Sequence, residues 1–179
     1  MQHNSLDILL SSSEIASRVE TLAQSIAQTL PKELLIVGLL RGSFVFTADL
    51  MRALHLTAAG MRLQLDFMTL SSYGTGTQSS GAIQIVRDLA EDVAGKDVLI
   101  VDDILESGLT LAFARELILR KGAKSAHIAV LLEKPGKRKT DITADFVGFT
   151  IPDKFVVGYG LDHANYYREL PYIGVVKTE

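Results

Sequence analysis

Apolar positions along the chain change period in a way that marks out elements one after another. Ser11 and Glu14 stand at capping-box spacing, and Ile15, Val19, Leu22, Ile26 and Leu30 then recur at helical intervals until Pro31. The pattern predicts an amphipathic helix. Residues 34–40 form an unbroken apolar run of strand length, the signature of a parallel strand buried on both faces. A second helix is expected over 44–54, followed by an alternating strand at 62–68. Residues 69–80, rich in Ser, Thr and Gly and containing Tyr73, read as a flexible loop; 81–87 alternates again, so the loop joins two antiparallel strands. A short apolar strand at 97–101 precedes a helix at 111–121 stopped by Gly122, and 125–132 is the next buried strand. Short strands broken by Gly and Pro fill the remainder. Strands alternating with helices predict an α/β fold around a mostly parallel sheet.

Composition narrows the class without changing this picture. The 179 residues suit one domain with no linker or internal repeat. A formal net charge of −3 argues against a protein that works by wrapping nucleic acid, although it leaves room for a local cationic pocket. With no cysteine, disulfide frameworks and thiolate zinc sites are excluded. Residues 1–10 lack a cationic segment leading into an apolar run, and no apolar stretch is long enough to span a bilayer, so a cytoplasmic protein with no membrane partner is expected. None of the four histidines has metal-ligand spacing with another; His163, beside Asp162, reads as a surface residue.

Candidate chemistry concentrates in Val98-Leu-Ile-Val-Asp102-Asp103-Ile-Leu-Glu106-Ser107-Gly108-Leu109-Thr110. A buried strand here brings adjacent carboxylates to its C-terminal edge, where open α/β sheets bind ligands. A loop follows whose Ser107 and Thr110 hydroxyls, with backbone amides at a helix start, form a phosphate cradle; Gly108 lets the backbone approach the anion. Carboxylates beside a phosphate site make sense when ribose hydroxyls or magnesium lie between them. The pair Asp102–Asp103 alone also fits a solvated acidic turn.

This stretch resembles the phosphoribosyl-pyrophosphate signature of the type I phosphoribosyltransferases, and other segments resemble the hypoxanthine-guanine branch. These are Leu39-Leu-Arg41-Gly42-Ser43, Ser72-Tyr73, Leu131-Leu-Glu-Lys134, 145–162 and Tyr166-Tyr-Arg168-Glu-Leu170, in the family's order from about residue 35 to 176. The resemblance implies one domain over 1–179: a twisted, mostly parallel central sheet flanked by helices, a small hood built from terminal segments, and a long flexible loop. It implies transfer of a 6-oxopurine to the ribose of phosphoribosyl pyrophosphate, with Mg2+ as cofactor, making IMP or GMP in purine salvage, in a homodimer or homotetramer.

The roles implied follow the same match. Asp102 and Asp103 hold ribose and metal, and Glu106, Ser107, Gly108, Leu109 and Thr110 form the 5-phosphate loop. Arg41, Gly42 and Arg168 bind pyrophosphate, with the Leu40–Arg41 peptide cis. Lys134 donates to the purine O6, Phe155 stacks on the base, Val156 offers backbone hydrogen bonds, Lys154 shapes the site and Asp162 faces a second magnesium. Ser72 and Tyr73 belong to the closing loop. Glu106 takes the position where the family carries aspartate, and is the implied proton acceptor at purine N7. Lys137, Arg138 and Lys139 read as a solvated basic loop. A xanthine-preferring transferase fits the same motifs. A regulatory relative that binds nucleic acid finds support in Glu106 alone.

Overall fold

The computed structural model describes residues 6–72 and 83–176. Two sheets organise the chain. The larger has six strands in the order β4-β3-β2-β5-β6-β7, where β2 is Glu33–Leu40, β3 Arg62–Ser72, β4 Ile83–Arg87, β5 Asp97–Leu105, β6 Ser125–Glu133 and β7 Phe146–Thr150. All neighbours are parallel except β3 and β4, which are antiparallel as the alternation at 81–87 predicts. The smaller sheet joins β1 (Leu6–Leu10), β9 (Ile173–Val176) and β8 (Val156–Val157), pairing the two terminal segments into the hood.

Three helices are described among these residues: α1 (Ser12–Thr29), α2 (Phe44–Thr57) and α3 (Leu109–Arg120). The α1 start follows the capping box: Ser11 Oγ accepts from Glu14 N, and the Glu14 carboxylate accepts from Ser11 N at 2.8 Å. Ile15, Val19, Leu22 and Ile26 are buried on its inner face, each contributing about 1.5–3 kcal/mol. Strand alternation splits the core between the faces of the sheet. Leu34 and Ile36 of β2 pack with α1 and α2, whereas Leu35 and Val37 pack with Leu111, Ala114 and Ile118 of α3. Both faces of β2 and β5 are covered, which explains why those strands read as continuous apolar runs.

Two boundaries differ from the sequence expectation. Strand β5 runs to Leu105 instead of ending at 101, because pairing with β6 continues through Asp102↔Val130 and Leu105↔Glu133. The two aspartates are thus inside the ladder, where a pattern of apolar residues cannot reveal a strand. Strand β3 likewise continues to Ser72 through pairing with β4, so residues 69–72 of the expected loop belong to a strand. Tyr73 lies outside the described residues. No helix among the described residues is long and apolar enough to cross a membrane.

Candidate active site

Sheet order reverses direction at β2: its successor β3 lies on one side and β5 on the other. The crevice beyond the carboxyl ends of two such strands is where α/β sheets gather ligands. Here it opens into a cavity of ≈ 820 Å³ walled by the β2–α2 turn, the ends of β3, β4 and β5, the loop after β6, and the hood with its neighbouring loops. A second cavity of ≈ 170 Å³ lies beside it, at the β5–α3 junction.

Asp102 and Asp103 serve different cavities. Asp102 lines the smaller one with Glu106, Ser107, Gly108 and Thr110, whereas Asp103 lines the larger. Side chains of successive strand residues diverge in this way. Burial first and the neighbouring Asp103 charge second push the Asp102 carboxyl well above the usual carboxylate range. Asp103 is also raised, by burial, against the lowering influence of its hydrogen bonds and of Arg168. Two half-buried acids with raised pKa values make a site that gains from hydroxyl donors or a cation. No group of three or more His, Cys, Asp or Glu residues able to hold a metal occurs among the described residues. Asp102 and Asp103 supply two carboxylates at this corner, and one or two carboxylates plus substrate oxygens are a donor set that magnesium takes.

The smaller cavity has the features of an anion cradle. Gly108 is the N-cap of α3 at φ 79, and no side chain caps the helix. The amides of Thr110 and Leu111 in this first turn are consequently available to an anion. Ser107 Oγ accepts from Leu109 N at 3.4 Å, placing the hydroxyl at the loop mouth. Leu109 itself starts the helix and offers only its backbone.

On the opposite wall the Leu40–Arg41 peptide is cis, as the resemblance implies. Gly42 follows, and a Cβ there would come within 1.5 Å of Asp103 Oδ2. Glycine at 42 is what lets the Asp103 carboxylate pack onto this turn. Arg41 Nη1 reaches Asn165 Oδ1 at 3.5 Å. Arg168 donates to Gly160 O at 2.6 Å and pairs with Asp162 Oδ1 at 2.7 Å, while Asp162 Oδ2 accepts from Asn165 N at 2.7 Å. These contacts bring Arg41, Asp162 and Arg168 to one rim.

Lys134 follows directly on β6 and is buried, with Nζ 4.0 Å from Glu106 Oε1. Phe155 is 51% exposed, so a large part of its surface is open to a flat partner. Its ring meets His163 edge-on at 5.4 Å, and His163 is exposed, as the sequence suggested. Val156 is buried in β8 and lines the same cavity. Lys154 is exposed and does not line it, and its amide bonds Pro152 O at 2.8 Å. Ser72 ends β3.

The basic loop expected to be solvated is in fact partly inside the site. Lys137 lines the large cavity, and Arg138 donates to Glu106 O at 3.1 Å. Asp153, which also lines it, was not singled out either. The available signal was Pro135-Gly136, a dipeptide that turns the chain; Gly136 has φ 94, and the turn folds the following residues back toward β5.

Comparison with known proteins agrees with this geometry. Residues 5–164 match the phosphoribosyl transferase domain. A hypoxanthine-guanine phosphoribosyltransferase of Bacillus subtilis is 48% identical over 99% of this chain and 96% of its own length. A hypoxanthine phosphoribosyltransferase of Escherichia coli strain K12 is 44% identical over 98% of this chain and 97% of its own. The crystal structure of a Staphylococcus aureus hypoxanthine phosphoribosyltransferase superposes with a TM-score of 0.90 at 44% identity, covering 98% of this chain and 94% of that one.

Proposed function

Because the chain belongs to the phosphoribosyl transferase domain family, we propose that it is a purine-salvage enzyme, a hypoxanthine phosphoribosyltransferase. It joins hypoxanthine or guanine to the ribose of phosphoribosyl pyrophosphate and releases pyrophosphate; relatives at 44–48% identity bear that name. One observation carries the reading: two neighbouring carboxylates with raised pKa values run directly into an uncapped helix start. That pairing of acid and anion cradle fits a sugar bearing a terminal phosphate.

In this reading the 5-phosphate takes the amides and hydroxyls of residues 106–110, and Asp102 and Asp103 accept from the ribose hydroxyls. Arg41, Gly42 and Arg168 receive the pyrophosphate. Asp102 and Asp103 would hold one magnesium ion and Asp162 would face a second, and the metal would supply neutralising charge for the departing pyrophosphate oxygens. The base lies against Phe155 with its edge on the Val156 backbone. Lys134 donates to O6; an adenine amino group there would set donor against donor. Glu106 holds the N7 proton while N9 attacks the anomeric carbon. Lys154 acts only through the path of the chain next to Phe155.

A homodimer or homotetramer is the proposed assembly. Leu56, 82% exposed beside a groove lined by Met51, Met61 and Leu63, supplies apolar surface for it. The test of the activity is absorbance-monitored nucleotide formation from hypoxanthine, guanine and xanthine in parallel, with magnesium and after chelation. Turnover on hypoxanthine that stops on chelation is expected. Tight binding of phosphoribosyl pyrophosphate without turnover on any of the three bases rejects the enzyme reading.

A further inference from the structure

Glu106 carries a longer arm than the aspartate of the family pattern, and its carboxylate meets a cation from outside that pattern. Lys137 Nζ lies 3.3 Å from Glu106 Oε1 and 2.8 Å from Asp153 Oδ2. Lys134 is farther from the same Glu106 oxygen, at 4.0 Å. Lys137 is thus the closer of the two ammonium groups, and Glu106, Lys137 and Asp153 all line the large cavity.

The backbone prepares this contact. Lys139 N donates to Ser107 O at 2.8 Å and the Arg138 guanidinium donates to Glu106 O at 3.1 Å, docking the main chain of 106–107 onto 138–139. Docking fixes the Glu106 Cα, but the torsions between Cα and carboxylate remain free. The missing restraint comes from an ammonium drawn from two sides, by Glu106 on the β5–α3 loop and by Asp153 beyond β7. The side chains of Lys137, Glu106 and Asp153 are 50%, 38% and 51% exposed. Water therefore screens the bridge, and its effect is on direction more than on stability.

We infer that Lys137 is a positioning residue: by bridging Glu106 and Asp153 it aims the Glu106 carboxylate at the base and closes one edge of the base subsite. The inference rests on Glu106 handling the N7 proton, as proposed above. An aspartate at 106 would withdraw the carboxylate by about 1.5 Å, one carbon–carbon bond, and lose direct reach to Lys137. The bridge is therefore a companion of the longer acid.

Single-turnover nucleotide formation from hypoxanthine, with saturating phosphoribosyl pyrophosphate and magnesium, tests this in the full chain. The variants are K137Q, K137R, E106Q, E106D and E106D/K137Q. K137Q is expected to lower the maximal rate about fivefold, the scale of a screened ion pair. It should move the half-saturating hypoxanthine concentration by less than about twofold, because truncating a positioning group alters the rate more than binding. K137R should restore the rate to within about twofold, since its guanidinium can still span two carboxylates. In the E106D background, adding K137Q should cost less than about twofold, because residues that act through one contact are non-additive: once E106D has broken the contact, removing Lys137 takes little more away. A K137Q rate equal to wild type, or the same K137Q loss in both backgrounds, overturns the positioning role while a slow E106Q leaves the role of Glu106 standing. An E106Q as fast as wild type removes the role of Glu106 and this inference together.

Discussion

Replacing Gly108 by alanine measures how rigidly the anion cradle is held. The residue sits at φ +79, and a Cβ would come 2.5 Å from Ile142 Cγ2 and 2.6 Å from Thr140 Oγ1. A left-handed backbone costs an alanine about 1–2 kcal/mol. Forcing a methyl group into packed neighbours costs a further 1–3 kcal/mol or so. Gly136 separates the two effects: its φ is +94, yet nothing lies within 4 Å of the position its Cβ would take. Gly136→Ala therefore carries only the conformational cost, and Gly108→Ala carries both. The difference between the variants should be about 1–3 kcal/mol, or roughly 2–4 °C of Tm per kcal/mol in a domain of this size. Urea unfolding with an unchanged m value is the assay. Equal destabilisation of the two variants would refute the reasoning, since it would mean that segment 138–142 yields freely and does not brace the cradle. Gly108→Ala should also raise the KM for phosphoribosyl pyrophosphate, whereas Gly136→Ala should leave it closer to wild type.

Other expectations follow from the electrostatics and shape of the site. Asp102 has a folded-state pKa above its unfolded one, so the native state keeps the proton longer. Without metal or substrate, stability should fall as pH rises from about 3.9, the ordinary aspartate value, towards the raised one, at up to about 1.4 kcal/mol per pH unit per proton. Asp102→Asn should flatten that decline and stabilise the protein at neutral pH while abolishing most activity; parallel urea-unfolding profiles for variant and wild type would contradict this. Phe155→Ala should raise the KM for hypoxanthine by the equivalent of about 1–3 kcal/mol of lost stacking and leave that for phosphoribosyl pyrophosphate nearly unchanged, as steady-state kinetics would show. Arg168→Lys cannot serve Gly160 O and Asp162 from one planar group. It should weaken pyrophosphate binding by about tenfold, the scale of one charge-assisted hydrogen bond, and unaltered pyrophosphate inhibition would count against that role.

What could be read in the amino-acid order was whatever has a local cause. The capping box at Ser11 and Glu14 sets the start of α1, and the apolar runs at 34–40 and 125–132 mark strands covered on both faces, because these depend on near neighbours and on period. The acid pair, the glycine at 108 and the polar loop between them form one short segment, so the cradle was legible as well. Tertiary structure decided the rest. Asp102 and Asp103 belong to β5 only because β6 continues beside them, and a ladder partner cannot be seen in one strand's own residues. That Gly42 must be glycine follows from Asp103, which arrives from another strand. Lys137 changes from a loop cation to a partner of Glu106 because hydrogen bonds between 106–107 and 138–139 bring two loops together. Contacts across such distances in sequence are set by how the elements pack, and that is where this site acquires its geometry.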